Sequence, residues 1–207
     1  GEACDGGFAQ MVQLPANLLF RHEHDLSPRI AAMAEPLAVA LHAVRRLALP
    51  AGEPVLVVGC GAIGGLSALV ISHLHDGPLL LADLNADKCA LVAQATGGKA
   101  VGLDKAEIGK VLAEKRLRYA LDTSGNVTAI EKALDLLAGG GALGLVGIGH
   151  GTLALEPKRL VESETSLMGC HAYADELPEA IAMLPSLTPE LERFCEVLSS
   201  LDDIPEA

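Results

Sequence analysis

Gly59, Gly61 and Gly64, in the run Gly59-Cys60-Gly61-Ala62-Ile63-Gly64, are the residues whose spacing speaks most directly of chemistry. They follow the apolar stretch Val55-Leu56-Val57-Val58 and open an apolar segment of helical length. An acid, Asp83, closes the next apolar stretch, 24 residues after Gly59. A strand, a glycine turn, a helix and then an acid form the pattern that lays a dinucleotide pyrophosphate on a helix N-terminus. Gly59 serves the tight turn, Gly61 lets phosphate approach the backbone, and Gly64 lets helix and strand pack closely. The N–H groups near Ala62 and Ile63 face the phosphates. Asp83 accepts from the adenosine ribose hydroxyls and repels a 2′-phosphate, which favours NAD over NADP. Lys88 offers a cation that works against this preference. Two alternatives stay open: a turn that serves packing alone, and another adenosine ligand such as S-adenosylmethionine or FAD.

Other reactive side chains are scattered. His22 and His24 flank Glu23 in a polar loop, where solvation is the simpler reading than metal ligation. His42 falls on the apolar side of a helix and reads as a packed histidine. His150 and His171 follow the fifth and sixth strands, near the strand ends that line a dinucleotide crevice. Met11, Met33, Met168 and Met183 read as core fillers. The five cysteines (Cys4, Cys60, Cys89, Cys170 and Cys195) form no CxxC pair. Such a set argues for reduced thiols in a cytoplasm and against a zinc knuckle.

The elements that must position these residues alternate along the chain. Strands are expected over 55–58, 79–83, 99–103, 119–122, 142–146 and 166–168. Helices are expected over 63–74, 86–95, 105–114, 127–137 and 157–161. Upstream, residues 8–14 read as a strand, Ser27-Pro28 starts a helix, Pro36 interrupts or divides it, and 37–47 is helical. The fold class is α/β, a doubly wound parallel six-stranded sheet. Half of the 207 residues are hydrophobic but only 2% are aromatic, which suits aliphatic strands buried between helix layers. The net charge of −12 disfavours nucleic acid. No apolar run is long enough to span a bilayer, and no secretory signal is visible, so no membrane partner is expected.

Several runs, taken in order, resemble the zinc-dependent medium-chain dehydrogenases, closest to their sorbitol, butanediol and threonine branch. They are Gly6-Gly7-Phe8-Ala9 with Leu14-Pro15, the stretch from Glu35 to Ala43, Asp122-Thr123-Ser124-Gly125, Gly139-Gly140-Gly141, and Val146-Gly147-Ile148. The resemblance implies hydride transfer between NAD(H) and a secondary alcohol or polyol, with zinc polarising the oxygen in the full-length protein. It implies that Ser124-Gly125 passes under the cofactor and that Val146, Gly147 and Ile148 offer backbone groups to the carboxamide. Cys170, at the end of the sixth strand, reads either as a backbone contact to the nicotinamide ribose or, more simply, as a buried thiol. The resemblance implies that Glu35 lies beside the zinc; the other reading is an acid at a helix end before a proline. It implies a remnant of a GroES-like catalytic domain over 1–26, a Rossmann domain over 27–172, and a segment over 173–207 returning towards the catalytic domain. The cysteine and Gly-His-Glu zinc motifs of that domain do not occur here, so the chain is expected to be a fragment. A homodimer or homotetramer joined at the sixth strand is expected. The competing reading is a non-catalytic NAD(H)-binding module or sensor.

Overall fold

The computed structural model describes residues 10–22, 25–113 and 115–195. Six parallel strands form one sheet: β1 (Val55–Val58), β2 (Leu79–Ala82), β3 (Lys99–Ala100), β4 (Tyr119–Asp122), β5 (Ala142–Leu145) and β6 (Ser166–Gly169). Their order is β3-β2-β1-β4-β5-β6, so the strand order reverses beside β1. In an open α/β sheet a ligand crevice lies outside the carboxyl ends of the strands at such a reversal. The expected doubly wound α/β fold is the observed one.

Period-two alternation divides the apolar strands between two cores. Val55, Val57, Leu79 and Leu81 face one side, with α2 (Ala34–Arg46), α3 (Ala62–Leu74), α4 (Ala86–Thr96) and α8 (Leu177–Phe194). Leu56, Val58, Leu80 and Ala82 face the other, with α5 (Lys105–Leu112) and α6 (Val127–Leu136). Side chains as small as Val and Ala on the strands let the helices sit close. Short helices α1 (Pro28–Ala31) and α7 (Pro157–Ser163) complete the set. Ser27 caps α1, its Oγ accepting from Ile30 N–H at 3.3 Å, with Pro28 at the first helical position.

Four expectations are corrected. Pro36 does not divide a helix: α2 begins at Ala34, and Pro36 lies in its first turn, where a missing N–H removes no helical bond. Gln10 to Leu14 are not a strand, and the rest of that expected element, with the first glycine run, lies outside the described residues. Met11 is no core filler, being 90% exposed. The third strand is two residues, Lys99–Ala100, because Gly102 to Asp104 turn away to cap α5.

α8 has no counterpart among the expected elements. Pro185 and Pro189 stand inside it, and each removes a backbone donor. The helix holds through burial: Ala180, Met183, Leu184, Leu187 and Leu191 recur at helical spacing and are all buried against α1, α2 and α3. His42 of α2 meets Glu176, just before α8, with Nδ1 and Oε1 2.9 Å apart. His42 is thus half-buried and paired, not simply packed.

Candidate functional site

The glycine run closes the carboxyl end of β1 and opens α3. Gly59 has φ +95°, a left-handed conformation open to glycine, and its N–H donates to Ala82 O at 2.8 Å. A Cβ on Gly59 would stand 2.7 Å from Thr123 Oγ1. A Cβ on Gly64 would collide with the carbonyl oxygen of Gly59. The Thr123 hydroxyl sits within 3.0 Å of both Val58 O and Gly59 O and donates to them, which ties β4 to the turn. Gly61 differs from both: a Cβ there would meet nothing within 4 Å. It is the N-cap of α3 without a side-chain cap, and Gly61 and Ala62 are exposed. The N–H groups of Ala62 and Ile63 precede the first helical bond, from Gly65 N–H to Gly61 O, and so point out of the helix end.

Asp83 sits one residue beyond β2, half-buried. One carboxylate oxygen accepts from Cys60 N–H at 2.5 Å and the other from Asn85 N–H at 2.7 Å. The acid therefore fastens the glycine turn to the end of β2 while keeping lone pairs free for a ligand. Beside it opens a cleft of about 540 Å³, lined by Gly59, Asp83, Leu84, Asp104, Ser124 and Lys132, among others. Leu84, Asp104 and Lys132 are lining residues that sequence reasoning missed. They carry no motif and come together only through the fold.

A second set of close contacts holds the far wall. Asp122 is fully buried at the end of β4 and accepts from Ser124 Oγ at 2.6 Å, Ser124 N–H at 3.2 Å and Gly125 N–H at 3.0 Å. Burial pushes its carboxyl above the ordinary range, and these bonds recover part of that rise. Gly125 has φ +64°, and a Cβ there would stand 2.8 Å from Gly149 N. The 124–125 turn and the 146–149 loop are thus pressed backbone to backbone. Val146 N–H and Gly147 N–H both donate to Asp122 O, at 2.8 and 3.1 Å, which leaves Ile148 at the rim, 88% exposed. Sequence reasoning named Ser124 and Gly125 but passed over Asp122 and Thr123 as the groups that fix them.

The remaining candidates are placed apart. Cys170 is buried, its N–H spent on Leu145 O at 2.8 Å, and its thiol packs with Ala43 and Leu121. Burial raises that thiol and Arg46 beside it lowers it, with burial the larger effect. Cys60 and Cys89 are both buried behind the turn, and the Cys89 thiol donates to Leu81 O at 3.5 Å. Burial first, and Cys89 next, push the Cys60 thiol far above its ordinary range, the opposite of an activated nucleophile. Lys88 does not line the cleft beside Asp83; it faces a separate one on the α4 side. His150 and His171 are exposed. Glu35 is exposed in the first turn of α2 and lines a shallow cleft with His22 and Phe20. Among the described residues no three His, Cys, Asp or Glu side chains gather in a way that could hold a metal ion. His24 lies outside them.

Residues 65–186 match the model of the family described as zinc-binding dehydrogenase. The chain belongs to that family. L-Galactonate-5-dehydrogenase of Escherichia coli strain K12 is 33% identical over 195 residues, 90% of this chain and 54% of the relative. The chain therefore spans about half the length of the curated relatives it matches. Among solved structures, an alcohol dehydrogenase from E. coli CFT073 complexed with NADH superposes with a TM-score of 0.77 at 18% identity, over 87% of this chain and 54% of the other. TarJ of S. aureus in complex with NADPH gives 0.72 at 16%, over 90% and 61%. At these identities the superpositions establish the fold. No helix among the described residues is long and apolar enough to cross a membrane.

Proposed function

We propose that this chain is the NAD-binding part of a dehydrogenase that oxidises a secondary alcohol or polyol. One observation carries the reading: Gly59 and Gly64 are closed against each other while the space over Gly61 is open. The uncovered glycine leaves the N–H groups of the helix end open to an anion. NAD fits this site. Gly61, Ala62 and Ile63 would take the pyrophosphate on backbone N–H groups. Asp83 would take the ribose hydroxyls, and the cleft beside Gly59 the adenine. Ser124, Gly125 and the Val146–Ile148 loop would carry the nicotinamide half, kept rigid by Asp122. Bound NAD would accept the hydride of the carbinol carbon. The protein's share is to fix the ring and its exposed face.

Zinc does not fit the described residues by themselves. Glu35 is one carboxylate, and a catalytic zinc needs three protein ligands. For the same reason a dinucleotide-binding module without chemistry is the competing reading. Association through the edge of β6 is part of the proposal, since β6 pairs only with β5 among the described strands.

Titrating NADH into the purified chain and then assaying alcohols and polyols with the longest product of its gene separates the two. Binding with turnover in the longer product supports the dehydrogenase; binding without turnover in either supports the module. Absence of NADH binding removes both.

A further inference from the structure

The glycine turn stands between two clefts. Gly59 lines the one beside Asp83, while Cys60, Gly61 and Ala62 line a second, of about 410 Å³, between the N-terminal turns of α3 and α4 and the last turn of α8. Lys88 of α4 and Arg193 of α8 line this second cleft, and among the described residues no carboxylate does. That is unusual on a chain with a net charge of −12. Both side chains are exposed, and neither has a carboxylate partner among the described residues. The last turn of α8 is seated on α3 by Phe194, whose ring would stand 3.8 Å from a Cβ on Gly65, one turn into α3.

We propose that Arg193 is a positioning residue for the cofactor, binding the pyrophosphate of a dinucleotide that lies across the glycine turn, opposite Lys88. The inference rests on the dinucleotide reading above. With adenosine in the first cleft, the phosphates sit over Gly61, at the mouth of the second. Helix N–H groups supply partial charge, and a guanidinium supplies a full one with two parallel donors. α8 thereby does more than cover α2: its last turn brings a cation from 110 residues beyond Asp83 to the same ligand.

Calorimetric titration of adenosine, ADP, NADH and NADPH into the unaltered chain, Arg193→Gln, Arg193→Lys and Arg193→Met tests this. Arg193→Gln should weaken ADP and NADH about tenfold, leave adenosine unchanged, and flatten the salt dependence of ADP binding. Arg193→Lys should recover part of the loss. Arg193→Met keeps the aliphatic stem and answers the same question if glutamine disturbs the helix. Unchanged ADP affinity in these variants, while the unaltered chain binds ADP, overturns this inference alone. A loss confined to NADPH overturns it too, by assigning the cation to a 2′-phosphate. Failure of the unaltered chain to bind ADP or NADH overturns the dinucleotide reading and this inference with it.

Discussion

Gly64 presses against the carbonyl of Gly59 so closely that no side chain fits between them, whereas Gly61, three residues earlier, faces empty space. The same residue type therefore serves two ends within one turn. Gly64→Ala must push α3 off β1 and should cost more than about 3 kcal/mol in urea unfolding. Gly61→Val puts a poor N-cap in place of glycine and should cost about 1 kcal/mol, far less than Gly64→Ala, while abolishing NADH binding, because the branched side chain occupies the space over the helix end. A folded Gly61→Val protein with normal NADH affinity would place the cofactor elsewhere.

The contact between His42 and Glu176 sets an acid limb on stability. Burial raises the Glu176 carboxyl, but the bonds from His42 and Ala174 N–H outweigh it and leave it below its ordinary value of 4.5. A depressed carboxyl contributes stability that is present above its unfolded value and is lost as pH falls through the folded one. Asp122 works the other way: its raised carboxyl contributes stability that is present at low pH and fades as pH rises through the folded value. Glu176→Gln leaves one of the two donors without an acceptor. It should cost about 1–2 kcal/mol at neutral pH and flatten the decline below pH 4.5. Thermal melts across pH 3 to 7 compare the two chains; parallel curves would show that the pair carries no linkage.

The strands and the glycine turn were legible in the sequence because each rests on a local signal. Val55–Val58 and Leu79–Ala82 are short apolar runs, and the glycines stand at fixed offsets from them. α8 carries no clean local signal: Pro185 and Pro189 each remove a backbone donor, and what holds the helix is burial of Leu184, Leu187 and Leu191 against α1, α2 and α3, more than a hundred residues away. Met11 misled in the other direction: an apolar residue suggests a core, but only tertiary contacts decide whether one covers it. Lys88 lies five residues beyond Asp83, close in sequence only. The direction of α4 sends it to the other side of the turn. Asp122 and Thr123 lie inside a run already singled out, yet their role depends on Val58 and Gly59 at the end of β1 and Val146 at the end of β5, which meet β4 only in the sheet.

The exposed edge of β6 offers a specific handle on assembly. Ser166 N–H and Cys170 N–H point inward to β5, at 2.9 and 2.8 Å from their acceptors. Alternation along the strand then turns the Leu167 and Gly169 N–H groups outward. Gly169 has room for a side chain, with nothing within 4 Å of an added Cβ. Gly169→Pro should remove an outward donor without breaking the β5 ladder. Light scattering should show an oligomer for the unaltered chain and a folded monomer for Gly169→Pro. An oligomer of the same mass in both would move the interface away from this edge.

On the proposed reading, Asp83 would set which dinucleotide is preferred. Its carboxylate is fixed by Cys60 N–H and Asn85 N–H, so it cannot swing away to admit a phosphate without releasing the glycine turn. A 2′-phosphate placed at the ribose position would stand against that fixed negative charge, with Lys88 facing the other cleft and not interposed. NADH should therefore bind at least tenfold more tightly than NADPH, a difference of about 1.4 kcal/mol. Asp83→Asn keeps an acceptor for one of the two backbone donors and removes the charge. It should narrow the preference by improving NADPH while weakening NADH, with a loss of roughly 1 kcal/mol in stability from the turn. Fluorescence titration of both nucleotides against both proteins measures the four affinities. Equal affinities in the unaltered chain would mean that Asp83 fastens the turn and does nothing for selection. A preference for NADPH would mean that Lys88 or Arg193 reaches the ribose phosphate and outweighs the acid.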